Sequence, residues 1–451
     1  MEIAKKFLEK NQPQLALEHL KKFLQKNFYD EWKIHEMIGA CFHDLANAEK
    51  SAQAYLNAAQ TDKFLRTQRE HFSNYIFASH YLPNKAEFFL EIAKIYNSLY
   101  RDTKIFPQKN NFNKKIHVGF IAPHFLESSS ARFYEILLTN YNREKFFVSA
   151  WSLSDKKDNF TEKICENTKF FGFSEINFEK IAEKIFSENV DILIDLGGHT
   201  EGGETLQVMA YKPAKIQISA IGYFDTTGLD AIDFFITDKF MATENFIEKK
   251  ILLENAFAFK PSEKIILAKK NLKKFYHENI IFGCLNNFMK ITDEYLRVVK
   301  KILDTVKNSK IIFRDTTNLE SRKIFLIERI KNIGIKNFEV RVGENNFFRD
   351  YGEIDLILDT FPYSGGFMTA LAIYFEKPVI NLIGEKHFER LGADILKISC
   401  NENLIAKNIN EYIEKSVEIS KNLDTKIFAG KLFDTKNFVE DFYNKIVEVR
   451  L

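Results

Sequence analysis

Proline and glycine are scarce in this chain of 451 residues, at 8 and 18 copies, which excludes collagen-like and low-complexity architectures. Cysteine is scarcer still. Cys41, Cys165, Cys284 and Cys400 stand far apart with no C-x-x-C pair, a pattern that argues against a disulfide framework and a zinc ribbon and fits buried thiols in a reducing compartment. Neither sign of charge is in excess: 64 Lys+Arg face 62 Asp+Glu, for a net charge of +2. The basic residues interleave with acidic ones, so there is no basic stripe of the kind that binds duplex nucleic acid, and no nucleic-acid partner is expected. The first residues, MEIAKKFLEKNQ, lack the apolar core of about 7–15 residues found in a signal peptide, and no run approaches the roughly 20 apolar residues of a membrane span. The expectation is a cytoplasmic protein without a membrane span. What the sequence does have is length, 45% hydrophobic residues and 45 Phe, enough for two or three packed domains. Isolated Phe residues are read as core.

Residues 1–104 read as helical throughout, with apolar positions three and four apart, beginning with segments at 2–10, 13–26, 31–45 and 47–60. Setting Ala4, Phe7, Ala16, Leu20 and Phe23 against Gly39, Phe42, Ser51, Tyr55 and Ala58 shows a weak internal repeat at a constant offset of 35. Small residues where helices cross and aromatics between them match the tetratricopeptide pattern of paired helices. Two units are too few for a free solenoid, so this block should pack on the rest of the chain.

A polar Lys/Asn stretch from Asp102 to Lys115 marks a change of periodicity. β-rich runs then come at 116–122, 146–153, 191–196, 216–221 and 234–237, with helical patterns between several of them. After a Lys-rich segment at 262–278 a second series runs through 280–285, 310–313, 338–342, 356–359 and 379–382. This spacing predicts parallel βαβ units in two doubly wound halves, whose ligands bind outside the carboxyl ends of the strands and whose natural shared site is the cleft between halves. The segment at about 434–450 predicts an amphipathic terminal helix, with Phe438, Phe442, Ile446 and Val447 on its apolar face.

No G-x-x-x-x-G-K-S/T loop, G-x-G-x-x-G fingerprint or Asp-x-Asp is present, and the ten His show no H-x-x-x-H pair and no Cys/His cluster. A metal-free reaction with no cofactor is expected. Four segments gather Gly, Thr, His and Asp at strand ends instead. In Asp195–Thr200 two glycines allow close backbone approach and His199 comes after a strand; Gly222–Asp233 is a polar loop between buried strands. In Asn286–Lys290 the lysine stands where it can neutralise a departing diphosphate, and in Asp359–Thr369 two glycines open a helix whose free N–H groups suit phosphate oxygens.

In this order the segments resemble the O-linked N-acetylglucosamine transferase and SPINDLY-like family of protein glycosyltransferases. The likeness covers roughly residues 70–400. It includes Ser73–Ala78 with Tyr81-Leu82-Pro83, Val118-Gly119-Phe120, Gly198-His199-Thr200, Lys212-Pro213-Ala214 with Gln217, Gly222-Tyr223, Thr226-Thr227-Gly228 and Ile236-Thr237-Asp238. It continues through Phe282-Gly283, Asn286-Asn287-Phe288, Lys290-Ile291, Leu358–Tyr363, Gly365-Gly366, Arg390 and Gly392-Ala393. The resemblance implies an α/β fold: an N-terminal tetratricopeptide-like helical block (1–104), then two Rossmann-like doubly wound domains of GT-B glycosyltransferase architecture. These would be an acceptor-side half (113–260) and a nucleotide-sugar half (276–430), with a helix at 431–451 returning across the hinge.

The implied reaction is inverting, metal-independent transfer of a sugar, N-acetylglucosamine from UDP-N-acetylglucosamine, to Ser or Thr of an acceptor protein or peptide. Lys290 would contact the diphosphate, Asn287 would line the donor site, and Gly365, Gly366, Phe367, Met368 and Thr369 would hold the phosphates. His199 with Thr226, Thr227 and Gly228 would face the acceptor, and His124, His199 or a donor phosphate oxygen would serve as base.

The chain also departs from the family. An Asp-Phe pair and a later His that reaches the reaction centre are replaced by His124-Phe125 and Ser128. The Gly-Gly-x-Thr-Thr helix start loses hydroxyls to Phe367 and Met368, and Leu371 stands where Asp or Glu holds the ribose. An arginine usual shortly after Gly-His-Thr is missing, with Glu204 nearby. Losing the carboxylate–ribose bond should cost about 1.5–3 kcal/mol, tenfold or more in donor affinity. The alternatives are a catalytically degenerate scaffold, partner subunit of an active glycosyltransferase or homo-oligomer, and a transferase acting on a lipid or small carbohydrate.

Overall fold

The computed structural model describes residues 1–24, 31–107, 114–273, 275, 278–343 and 347–449. The expected domain starts at 113 and 276 and the end of the 13–26 segment lie outside these residues. The chain packs into two compact units: Met1–Lys63 with Ala78–Pro83 and Pro261–Leu432, and Phe64–Phe77 with Asn84–Lys260 and Phe433–Leu451. The block expected at 1–104 is thus shared out, because a helix pair must bury its apolar face on a neighbour and these helices find different neighbours.

The unit holding residues 84–260 is built on a seven-stranded sheet: β1 (Ile116–Ala122), β2 (Phe146–Ser152), β3 (Lys169–Gly172), β4 (Ile192–Asp195), β5 (Ile216–Ser219), β6 (Phe234–Asp238) and β7 (Lys249–Leu253). All neighbours pair in parallel, in the order β3-β2-β1-β4-β5-β6-β7. Every residue of β1 is buried, as expected of a central parallel strand covered on both faces. The terminal helix Thr435–Glu448 belongs to this unit: Phe442 stacks over Phe120 and the Tyr443 hydroxyl donates to the Leu137 carbonyl at 2.7 Å.

The other unit carries β8 (Ile280–Cys284), β9 (Ser309–Asp315), β10 (Phe338–Val342), β11 (Leu356–Leu358), β12 (Val379–Leu382) and β13 (Ile405–Ala406), again parallel, in the order β10-β9-β8-β11-β12-β13. It also holds the helices Glu2–Glu9, Pro13–Leu24, Glu31–Asp44 and Ala48–Thr61. The repeat residues mark their close crossings. Ala4, Ala16, Leu20, Ser51 and Ala58 are buried, and the Ser51 hydroxyl donates to the Gly39 carbonyl at 3.0 Å. Among the described residues no helix is long and apolar enough to cross a membrane.

Each sheet reverses its winding beside its first strand, between β1 and β4 and between β8 and β11. Crevices at such points are where doubly wound sheets bind ligands. The four Gly- and polar-rich segments come directly after β4, β5, β8 and β11.

Candidate functional site

In the β1–β7 unit, Asp195 ends β4 fully buried and folds the turn after it. It accepts the Gly197 N–H at 2.9 Å, the Gly198 N–H at 3.0 Å and the Ser219 hydroxyl at 3.2 Å. Burial pushes its carboxyl pKa up against these bonds. The turn delivers His199 into a closed setting, 1% exposed, with Tyr96 and Tyr223 edge-on to its ring. Its Nε2–H donates to the Thr227 carbonyl at 2.9 Å, so Nδ1 is the acceptor for the Ser73 hydroxyl at 2.5 Å. His199 does not project as expected. Both nitrogens are spent on fastening the helix Leu65–Ser79 and the loop after β5 to the β4 turn.

That loop is likewise held inward. Glu248, 4% exposed, accepts the Thr226 hydroxyl at 2.7 Å, the Thr227 N–H at 2.8 Å and the Thr227 hydroxyl. Gly228 sits at φ +74°, where a Cβ would come within 2.8 Å of Ala93. The expected acceptor-facing Thr226, Thr227 and Gly228 therefore act as a fixed support, because a buried carboxylate needs their donors.

After β1, His124 is half-buried and its Nδ1 accepts the Leu126 N–H at 3.3 Å. Ser128 accepts the Ala131 N–H at 3.3 Å, so where the family is expected to carry a histidine this chain has a serine at the start of the helix Ala131–Thr139. Glu204, half-buried next to Gly203, is pushed up to about 7 by burial and by the carboxylates of Glu70 and Glu201.

In the unit holding β8–β13, Asp359 stands directly after β11 as Asp195 ends β4. It accepts Gly365 N–H at 2.9 Å, Asn286 Nδ2 at 2.9 Å and Asn381 Nδ2 at 2.7 Å. Gly365 and Gly392 close against it, since a Cβ on either would meet an Asp359 carboxylate oxygen, at 2.7 and 2.5 Å. Beyond this tight cradle the chain opens: nothing lies within 4 Å of a Cβ on Gly366, which caps the helix Phe367–Tyr374. Lys290 comes to the same place, its Nζ donating to the Ser364 carbonyl at 2.8 Å and lying 4.2 Å from the Tyr363 ring centre. Burial lowers its pKa to about 8, against the pull of Asp359.

The structure thus brings together Lys290, Gly365, Gly366 and Thr369, whose hydroxyl turns inward to the Gly365 carbonyl at 3.1 Å. Phe367 and Met368 are half-buried on the first turn, and Leu371 is fully buried in the core. Asn287 is close by and half-buried, with its Oδ1 engaged by the protein: it accepts Met289 N–H at 2.9 Å and Arg322 Nη1 at 3.0 Å. A cavity of about 640 Å³ opens next to this cluster, lined by Phe361, Pro362, Gly384, Glu389 and Asn408 among others, and neither Lys290 nor Gly366 lines it. Sequence reasoning missed Glu248 and Arg322: the pairing of Glu248 with Thr227 spans 21 residues and that of Arg322 with Asn287 spans 35, which no local pattern signals.

Residues 84–260 match the family model Glycosyl transferase family 41. A protein of Arabidopsis thaliana named "Probable UDP-N-acetylglucosamine--peptide N-acetylglucosaminyltransferase SPINDLY" is 28% identical over 351 residues, 72% of this chain and 38% of that protein. The SPINDLY protein of Eustoma exaltatum subsp. russellianum is 30% identical over 328 residues, 68% of this chain and 34% of its own length. The chain therefore spans little more than a third of these relatives. A solved variant of the Thermobaculum terrenum O-GlcNAc transferase superposes with a TM-score of 0.82 at 18% identity, covering 98% of this chain and 85% of that one, which shows the expected GT-B fold. Motif order and relatives point one way: the chain is similar to proteins of the O-linked N-acetylglucosamine transferase and SPINDLY-like family, and residues 84–260 carry the family 41 match.

Proposed function

We propose that this chain is a cytoplasmic protein glycosyltransferase that moves N-acetylglucosamine from UDP-N-acetylglucosamine to Ser or Thr of an acceptor protein, by inversion and without a metal. The observation that carries it is the Lys290 ammonium at the open, Gly366-capped start of a helix, after the first strand of its sheet. An inverting step needs the acceptor oxygen aligned opposite the departing diphosphate, and needs positive charge where that diphosphate develops its own. Lys290 supplies a full charge and the helix start supplies aimed N–H groups, the task a divalent cation performs elsewhere. The lone pairs of His124 and His199 are already engaged, which favours a donor phosphate oxygen as the base. The free thiols of Cys41, Cys165, Cys284 and Cys400 support a reducing compartment.

The test is transfer of labelled sugar from UDP-N-acetylglucosamine to protein, read by mass spectrometry. Lys290→Ala should lower kcat/KM by about 100-fold or more; unchanged turnover overturns the role. The buried Leu371 and the Ser128 turn favour a second reading, a degenerate scaffold or partner of an active glycosyltransferase. It expects no turnover, no thermal shift from nucleotide sugars at millimolar concentration, and tight association with that enzyme or with a second copy.

A further inference from the structure

Arg322 lies in the first turn of the helix Glu320–Ile333, 1% exposed, and its guanidinium bonds to four acceptors from three parts of one unit. Nη1 donates to Asn287 Oδ1 at 3.0 Å and to Asp315 Oδ2 at 3.0 Å. Nη2 and Nε donate to the carbonyls of His43 and Asp44, at 3.1 and 3.3 Å. Those carbonyls end the helix Glu31–Asp44, where the dipole is negative, and the His43 carbonyl also accepts the Ala46 N–H at 2.9 Å. On the other side, the same acceptors hold the turn that carries Lys290: Asn287 Oδ1 takes Met289 N–H, and Asp315 Oδ2 takes Phe288 N–H at 2.9 Å. A cavity of about 470 Å³ lined by Ala46, Asn47, Met289 and Ile291 lies at this junction. Only a planar fork of five N–H groups can serve so many acceptors at once.

We infer that Arg322 is a positioning residue: by bridging the end of the helix Glu31–Asp44 to the Asn287–Lys290 turn, it sets the place of Lys290 and makes the helical block part of the diphosphate subsite. The inference rests on the donor reading proposed above. A structural role alone would lower stability; a positioning role also changes what surrounds the Lys290 amine, whose neighbours are the Asp359 carboxylate, the Cys284 thiol, the Ser364 carbonyl and the Tyr363 ring.

The experiment uses the full chain with Arg322→Met and Arg322→Lys and two readouts. One is the pH midpoint for acetylation of Lys290, followed by mass spectrometry without any nucleotide; the other is affinity for uridine diphosphate at pH 7. The unsubstituted chain should show a midpoint near the lowered value of about 8. Arg322→Met should move that midpoint up towards the ordinary lysine range and weaken uridine diphosphate about tenfold or more. Arg322→Lys, which can serve only part of the acceptor set, should fall between. A folded Arg322→Met with both values unchanged overturns the inference. Should that variant fail to fold, Asn287→Ala keeps the Asp315 ion pair and the Asp315 bond to Phe288 N–H while removing the Arg322–Asn287 bond and the Asn287 bond to Met289 N–H, and the same two shifts must appear; their absence is equally decisive. An unsubstituted chain that binds no uridine diphosphate contradicts the donor reading, while the Lys290 midpoint still decides the role of Arg322.

Discussion

Glu204 carries a carboxyl that burial, Glu70 and Glu201 hold at about 7. A carboxyl raised in the folded state binds its proton more tightly there than in the unfolded chain, so stability is greatest below the unfolded pKa and declines as pH rises towards 7. Glu204→Gln removes that dependence. It should match the parent at pH 4.5 and be more stable at pH 8 by about 1 kcal/mol, after allowing for solvent screening of a half-exposed group. Urea midpoints at the two pH values check this; equal stability at pH 8 would show that the carboxyl titrates normally. His199 illustrates the limit of reading one residue at a time. Its position after a strand and two glycines was plain in the sequence, but whether its nitrogens face substrate or protein depended on Ser73 and Thr227, far away in the chain.

At the scale of elements, the central strands of both sheets were legible because parallel strands covered on two faces read as unbroken apolar runs. β3, β7 and β13 were not read, and each is an edge strand of its sheet. KFFG and KKILL are bounded or broken by lysine and partly exposed, as an edge that pairs on one side can be. The helix pairs were legible from the spacing of small residues, whereas the division of residues 1–104 between two units was not, since periodicity shows that a face is apolar without showing what covers it. Gly228 separates a support from a binding loop. Gly228→Ala, at φ +74° and within 2.8 Å of Ala93, should destabilise by about 2–4 kcal/mol through strain and overpacking. A denaturation midpoint shifted by that amount is expected; an unchanged midpoint with weaker acceptor binding would restore the acceptor role.

Across the whole molecule, two features recur. Each sheet uses a buried aspartate at the end of its fourth strand or directly after it, Asp195 and Asp359, to fold a glycine turn at its own switch point. The net charge of +2 leaves little general attraction for an anion, so a diphosphate has to be held at focused points, chiefly Lys290 and the helix start after Gly366. Calorimetric titration of uridine diphosphate into the unsubstituted chain from pH 7 to 9.5 tests this most directly, with Lys290→Ala alongside. The predicted result is measurable binding that is level at pH 7 and weakens by up to about tenfold per pH unit above the lysine's value of about 8, with Lys290→Ala weaker throughout and flat over the same range. Binding that ignores both pH and the substitution, or no binding at millimolar nucleotide, would contradict it.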